Sequence, residues 1–462
     1  MEKSEQLRTQ PLSRLIFSLS APAIISLLTN SVNMAIDRLF IARGIGTLAL
    51  SAVTVAFGLY LVMQACSQLI GTGASSAVAI QLGKGEKEKA EKIVGNSFCM
   101  SFILAITISI IGILCLNPLL KLYGANTENI TYAREYTSVM FLGAICFVLA
   151  QSMNSLVRGM GYAKRSLINF ISSIIVNLIL DAIFIFIFNW GVRGAAFATI
   201  IGNLICAVLA IQFLYSKKNA VRLRVPNLRL DKEIVSKILS IGISGFIGQF
   251  ALSLVALVFN HVCRIYGGNT AVAAYGIIST IFMLVYMPLI GLGQGIQPII
   301  GYNYGSNIYS RVRGTVLKAF QYGTFFCVIM FVLFEIFSPK IVAAFGGSDN
   351  NELALMATIG MRIYGLMLPL VGIQMVGANF FQYIGKVKQS MFLSALRQML
   401  LLIPFVIILP LFFRMTGVWA ATPVSDFVSF AITAILVYRE IKSLNMIPDG
   451  GICNNGTIDI QQ

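Results

Sequence analysis

Two aspartates lie within apolar stretches where a charge is costly. Asp37 follows Ser26, Asn30 and Asn33 at spacings of i, i+4, i+7 and i+11, so one polar stripe would run along an otherwise apolar helix. Asp181 closes a second stripe with Asn169, Ser173 and Asn177 at four-residue intervals. Thr199 with Asn203, and Gln151 with Asn154, are shorter polar pairs. Ionisable groups in such surroundings are functional candidates by default. Two carboxylates that face each other away from water repel, and such a pair is suited to hold a proton between them. Carboxylate, amide and hydroxyl oxygens are also what a hard cation such as Na⁺ takes as donors. Two carboxylates and two neutral oxygen-bearing side chains could therefore converge here and take H⁺ or Na⁺. A purely structural hydrogen-bond network is the competing reading.

These side chains need elements that cross a membrane. Of 462 residues, 57% are hydrophobic and 11% charged, against about 25% charged in a soluble domain. Mean hydropathy is +0.83. The apolar runs are continuous, not alternating, so helices and not barrel strands are expected. The expected class is all-α integral membrane, with twelve transmembrane helices in two six-helix bundles related by a pseudo-two-fold axis. The spans are 12–42, 48–82, 90–118, 129–158, 163–188 and 192–216 (α1 to α6), then 235–265, 270–302, 311–337, 354–383, 387–413 and 417–440 (α7 to α12). On these bounds Asp181 and Thr199 each sit about seven residues, roughly 10 Å, below one surface, with Asp37 slightly shallower. Pro22 removes one backbone hydrogen bond from α1 and is expected to kink it.

The formal net charge is +16. Alternate loops and termini carry 24 of the 34 Lys and Arg residues. Such a bias sets topology and does not indicate nucleic acid; it places that side, and both termini, in the cytoplasm of a plasma-membrane protein. The expected organisation is an N-lobe at 1–217, a cytoplasmic linker at 218–234, a C-lobe at 235–441 and a cytoplasmic tail at 442–462. The polar stretch Met1–Arg14 and the long apolar run after it do not read as a cleavable signal peptide. The eight cysteines are scattered without a CxxC pair and read as small buried hydrophobes. With one histidine, His261, and no HExxH or GxSxG, an enzyme is not expected, nor is a cofactor.

The halves repeat. LIGTGASSAVAIQLGKG is answered by LIGLGQGIQPIIGYNYG, which pairs Gly71, Gly73 and Gly85 with Gly291, Gly293 and Gly305, 220 apart. Gly191–Ala196 is answered by Gly417–Thr422, 226 apart. An even number of helices per half makes the repeat parallel, with a cleft between lobes suited to alternating access, which disfavours a channel. Close helix packing accounts for most of the glycines. The second half has diverged: Phe259 and Asn260 lie opposite Asp37, and Phe405 opposite Asp181. Asp426 and Arg362 are expected to pair, Arg397 to lie deeper, and Glu335, His261 and Arg264 to be solvated at the outer rim.

This pattern resembles the MATE (multidrug and toxic compound extrusion) family over almost the whole chain. Six-plus-six helices and the segment GQGIQPIIGYNYG at 293–305 carry the resemblance, which is to the MepA-like and DinF-like branches. It implies cation-coupled antiport of amphipathic, often cationic compounds by a monomer in membrane lipid. It implies ion coupling at Asp37, Asn177, Asp181 and Thr199, and a substrate pocket that includes Asn30 and Asn154. Asn33 and the pliable methionines Met34 and Met153 are expected to join that pocket, and Met287 to border the cleft. Asn33 stands where some archaeal relatives carry tyrosine, and the acid that other branches place on α7 is missing. The rival function is a flippase for a lipid-linked oligosaccharide or cell-wall precursor. That would need basic residues in the cleft to hold pyrophosphate, whereas these stripes are acidic and neutral.

Overall fold

A computed structural model of the chain describes residues 3–216, 219, 221–347, 351–450, 452–454 and 457–459. The apolar runs form α1 (Leu12–Gly44), α2 (Thr47–Gly83), α3 (Lys87–Leu114), α5 (Ala163–Ile187), α6 (Gly191–Tyr215) and α9 (Tyr309–Phe345). Two further crossings are broken. α4 joins Ile130–Leu142 to Ala144–Gly159 at 55°, and α10 joins Asn351–Gly365 to Leu368–Tyr383 at 53°. Sequence periodicity had suggested unbroken helices in both places. A short helix, Leu116–Leu122, follows α3.

The remaining four crossings come from two double-length stretches. In Lys232–Gly305 the backbone leaves helical dihedrals at Gly268 (φ 63, ψ −156). Phe259 and Tyr275 then stack at 4.6 Å, whereas sixteen residues of straight helix would span about 24 Å. The chain therefore doubles back into α7 (232–267) and α8 (269–305). Arg414 (φ 49, ψ −132) makes the same break between α11 (387–413) and α12 (415–445), which an Arg397–Asp426 contact of 2.7 Å draws side by side. Among the described residues the crossings thus number twelve.

The structural repeat corrects the register read from the glycines. Gly46 and Gly268, and Gly85 and Asn307, hold matching positive φ, and Gly83 and Gly305 face each other across the halves. Each pair is 222 apart, not 220. Glycine at every second position (71, 73; 291, 293, 295) lets a letter match slip by two residues.

The first helix of each half packs on the second helix of the other. Ser20 and Ile24 of α1 lie against Gly295 and Gly291 of α8, and Ile238 and Gly242 of α7 against Gly73 and Leu69 of α2. Only glycine allows backbones this close. Polar links accompany them: Gln297 Nε2 donates to Ser76 Oγ (2.9 Å) and Gln382 Nε2 to Thr72 Oγ1 (3.0 Å). The N-terminal helix Lys3–Thr9 is held by the other half, where Asn303 Nδ2 and Arg311 donate to the Leu7 carbonyl. Leu15, Ile16 and Leu19 are buried in a core built mainly from α8 to α12. These links lie toward the end that carries the basic loops.

The stretch read as the linker between halves packs on α3. Arg224 Nε meets the Glu91 carboxylate at 2.9 Å, and the Asp231 amide donates to Asn96 Oδ1 at 2.7 Å, both on α3. Val221 and Leu223 are buried. Residues 217, 218 and 220, and much of 451–462, lie outside the described residues.

Candidate functional site

α1, α2, α4, α5 and α6 line a partly open cavity of about 110 Å³ within the first half, room for several waters. Asn30, Asn33, Met34 and Asp37 reach it from α1, Ser173, Asn177 and Asp181 from α5, and Thr199 and Asn203 from α6. The four-residue spacing of each stripe turns its members to one face. α1 stays helical through Pro22.

One amide joins the stripes. Asn33 Nδ2 donates to Asp37 Oδ2 (3.2 Å) and to Asn177 Oδ1 (2.9 Å). Asn177 Nδ2 in turn donates to Asp181 Oδ2 (3.0 Å). The result is a directed chain, Asp37–Asn33–Asn177–Asp181, that ties α1 to α5. The carboxyl groups of Asp37 and Asp181 are also within hydrogen-bond reach of each other. Asp37 Oδ1, Asp181 Oδ1 and Asn33 Oδ1 are buried and have no partner among the described residues. Buried acceptors left without donors are costly. A proton shared by the carboxyls, or a small cation, would relieve that cost. Thr199 Oγ1 donates to the Ala195 carbonyl (3.0 Å) and keeps its lone pairs for other partners; the Tyr136 hydroxyl lies within reach of it.

Two expected pocket residues are elsewhere. Met153 is fully buried in an apolar cluster with Ile70, Ala74 and Leu156. Asn154 donates to the Ser166 carbonyl (3.2 Å) and accepts from Asn169 (3.2 Å), pinning α4 to α5. Both occupy packed faces of α4 and not the cavity wall. Met287 is buried and its sulfur accepts from Ser31 Oγ, joining α8 to α1. The sequence reading does not single out Arg38, Tyr60 or Tyr136, which also line the cavity. The Arg38 guanidinium lies over the Phe57 ring, 5.2 Å from its centroid. Its position next to Asp37 was the available signal. The two tyrosines resemble ordinary core aromatics in an apolar run.

The second half holds a different arrangement. Asp426 pairs with Arg397 (2.7 Å), not with Arg362. Arg397 also donates to the Tyr286 hydroxyl (3.3 Å). Arg362 donates to Ser338 Oγ (2.8 Å) and lies 3.9 Å from the carboxylate of Glu335, which is thus partly buried and paired and not freely solvated. His261 and Arg264 are exposed, as is Cys115, contrary to its expected burial. Asp426, deep in this half, is therefore neutralised, whereas the two acids of the first half lie on one cavity.

The family model MatE matches this chain twice, over residues 22–183 and 246–408. The "Multidrug export protein MepA" of Staphylococcus aureus (strain MRSA252) is 26% identical over 441 residues, covering 94% of this chain and 96% of that protein. Among solved structures, one described as "Crystal structure of MATE in the bent conformation" aligns with TM-score 0.90 at 24% identity, over 96% of this chain and 99% of that one. Another, "Outward-facing conformation of a multidrug resistance MATE family transporter of the MOP superfamily", aligns with TM-score 0.89 at 25% identity, over 96% and 99%. The same family model matches once in each half, over most of the chain, and the chain belongs to the MATE family of integral membrane transporters.

Proposed function

We propose that this protein is a cation-coupled antiporter that exports amphipathic, cationic organic compounds from the cytoplasm by alternating access. Asp37, Asn177, Asp181 and Thr199 would take H⁺ or Na⁺ in exchange, with Asn33 as a positioning residue between the acids. The observation that carries this reading is the facing pair of carboxyls with three unpartnered buried oxygens on one hydrogen-bonded chain. An ion and a cationic cargo would compete for the same negative charge, so the arrival of one favours release of the other. The two halves, 1–217 and 235–441, would be the moving bodies, with both termini cytoplasmic and the protein in the plasma membrane. The glycine seam at the basic-loop end would then be the closed cytoplasmic gate. At about 110 Å³ the cavity admits water and ions, while drug-sized ligands need roughly 300 Å³ or more; bulky cargo would require the cleft to widen.

The test is transport into everted vesicles with proton and sodium gradients imposed separately. One gradient drives uptake of a cationic dye, and Asp37→Asn or Asp181→Asn abolishes it at unchanged protein level. Wild-type uptake by either variant refutes the assignment. Uptake of an anionic lipid-linked precursor in place of the dye would favour the flippase reading.

A further inference from the structure

A second cavity, of about 330 Å³, opens at the end of the bundle opposite the basic loops. It lies between the short helix Leu116–Leu122 and the start of α4, and is lined by Asn117, Lys121, Ile130, Thr131 and Arg134. Charge bias keeps most cations away from this end, yet two converge here. Neither takes part in the ion pairs formed among the described residues. Glu135, beside Arg134, is already engaged by Arg193 at 3.0 Å. The cavity thus offers a guanidinium fork, an ammonium, an amide and a hydroxyl, a donor set suited to a phosphate group.

Its rim is apolar. Leu114 and Leu122, at the two ends of the segment, are 78% and 76% exposed, and Ile110, Ile111 and Ile113 of the last turns of α3 are exposed with them. These exposed apolar side chains lead along the end of α3, a candidate membrane span, to the segment that carries the cavity. A soluble anion would use the cations and leave the rim idle. A molecule with a phosphate head and hydrocarbon tails would use both. We propose that this cavity binds the headgroup of an anionic phospholipid in the outer leaflet, with its acyl chains along the end of α3. The segment 116–125 also packs on the outer ends of α2 and α4, near Tyr60 and Phe147 of the cavity wall, so a bound lipid would brace the lobe that holds the coupling acids.

Native mass spectrometry of the full-length protein, delipidated and titrated with phosphatidylglycerol or phosphatidylcholine, tests this. Phosphatidylglycerol should bind the more tightly, and Lys121→Gln with Arg134→Gln should weaken it by about thirtyfold, the sum of two surface phosphate contacts. Lys121→Arg, which keeps the charge, should retain binding and confirms that loss in the double variant reflects charge and not misfolding. Equal retention of phosphatidylglycerol by the double variant overturns the site. Displacement of the lipid by millimolar inorganic phosphate overturns the lipid assignment in favour of a free-anion site.

Discussion

Gly242→Ala is expected to open the seam at the basic-loop end. A Cβ at this position of α7 would run into the Leu69 carbonyl of α2. Both partners are backbone, so no side chain can swing aside, and the two helices must separate. Overpacking of this kind costs about 1–3 kcal/mol. If the seam opens during transport as proposed, the strain exists only in the closed state and acts as a bias between states of roughly 5- to 150-fold. The assay is labelling of Ser76→Cys, in a background without native cysteines, by an impermeant maleimide applied to everted vesicles. Ser76 is fully buried and accepts from Gln297, so it should label slowly in the parent and faster by that factor with Gly242→Ala. Gly248→Ala is the control, since a Cβ there meets nothing within 4 Å on the same helix. Equal labelling of the two variants would refute the link between this contact and gate closure.

Asn33→Leu should strip donors from both Asp37 and Asn177, costing about 1–3 kcal/mol per buried acceptor; a lowered melting temperature together with reduced dye uptake in vesicles would show it. Arg397→Met should destabilise the protein by about 3–5 kcal/mol by leaving Asp426 buried and unpaired, and Arg397→Met with Asp426→Leu should recover most of this; thermal melts in detergent compare the two. If a proton and cargo compete at the acids, cargo binding releases protons, so affinity should fall as pH is lowered from about 8 to 5.5. Asp181→Asn should flatten that dependence in a fluorescence binding titration, and an unchanged slope would remove Asp181 from the competition.

The polar stripes were legible because amides and acids at helical spacing stand out against an apolar background, and one helix fixes their common face. Asn177 and Asp181 needed no tertiary information. What required it was the rotation of one helix against another. Met153 and Asn154 share a helix with Gln151, which lines the cavity, but they point into packed faces. The choice between Arg362 and Arg397 as partner of Asp426 depended on the reversal at Arg414, since 29 residues separate the true pair. The break in α4 falls at Gly143 with no proline to announce it, whereas the break in α10 at Leu366–Met367 is followed by Pro369, whose missing N–H was the available signal. The repeat register was misread by two residues because alternating glycines match one another in either alignment.

The crossed packing of α1 on α8 and α7 on α2 bears on ancestry. A six-helix precursor would have met a second copy through one self-complementary surface, each molecule extending its first helix across the other. Such a half exposes a bare glycine groove when alone and buries it only by exchange, so it would be an obligate pair from the outset. Fusion of two such copies would add a tether without redesigning the contact, and would leave each copy to diverge. The first half now holds Asp37 and Asp181 on one cavity, and the second the Arg397–Asp426 pair. Halves made as separate polypeptides should accordingly find each other through the same surface used twice.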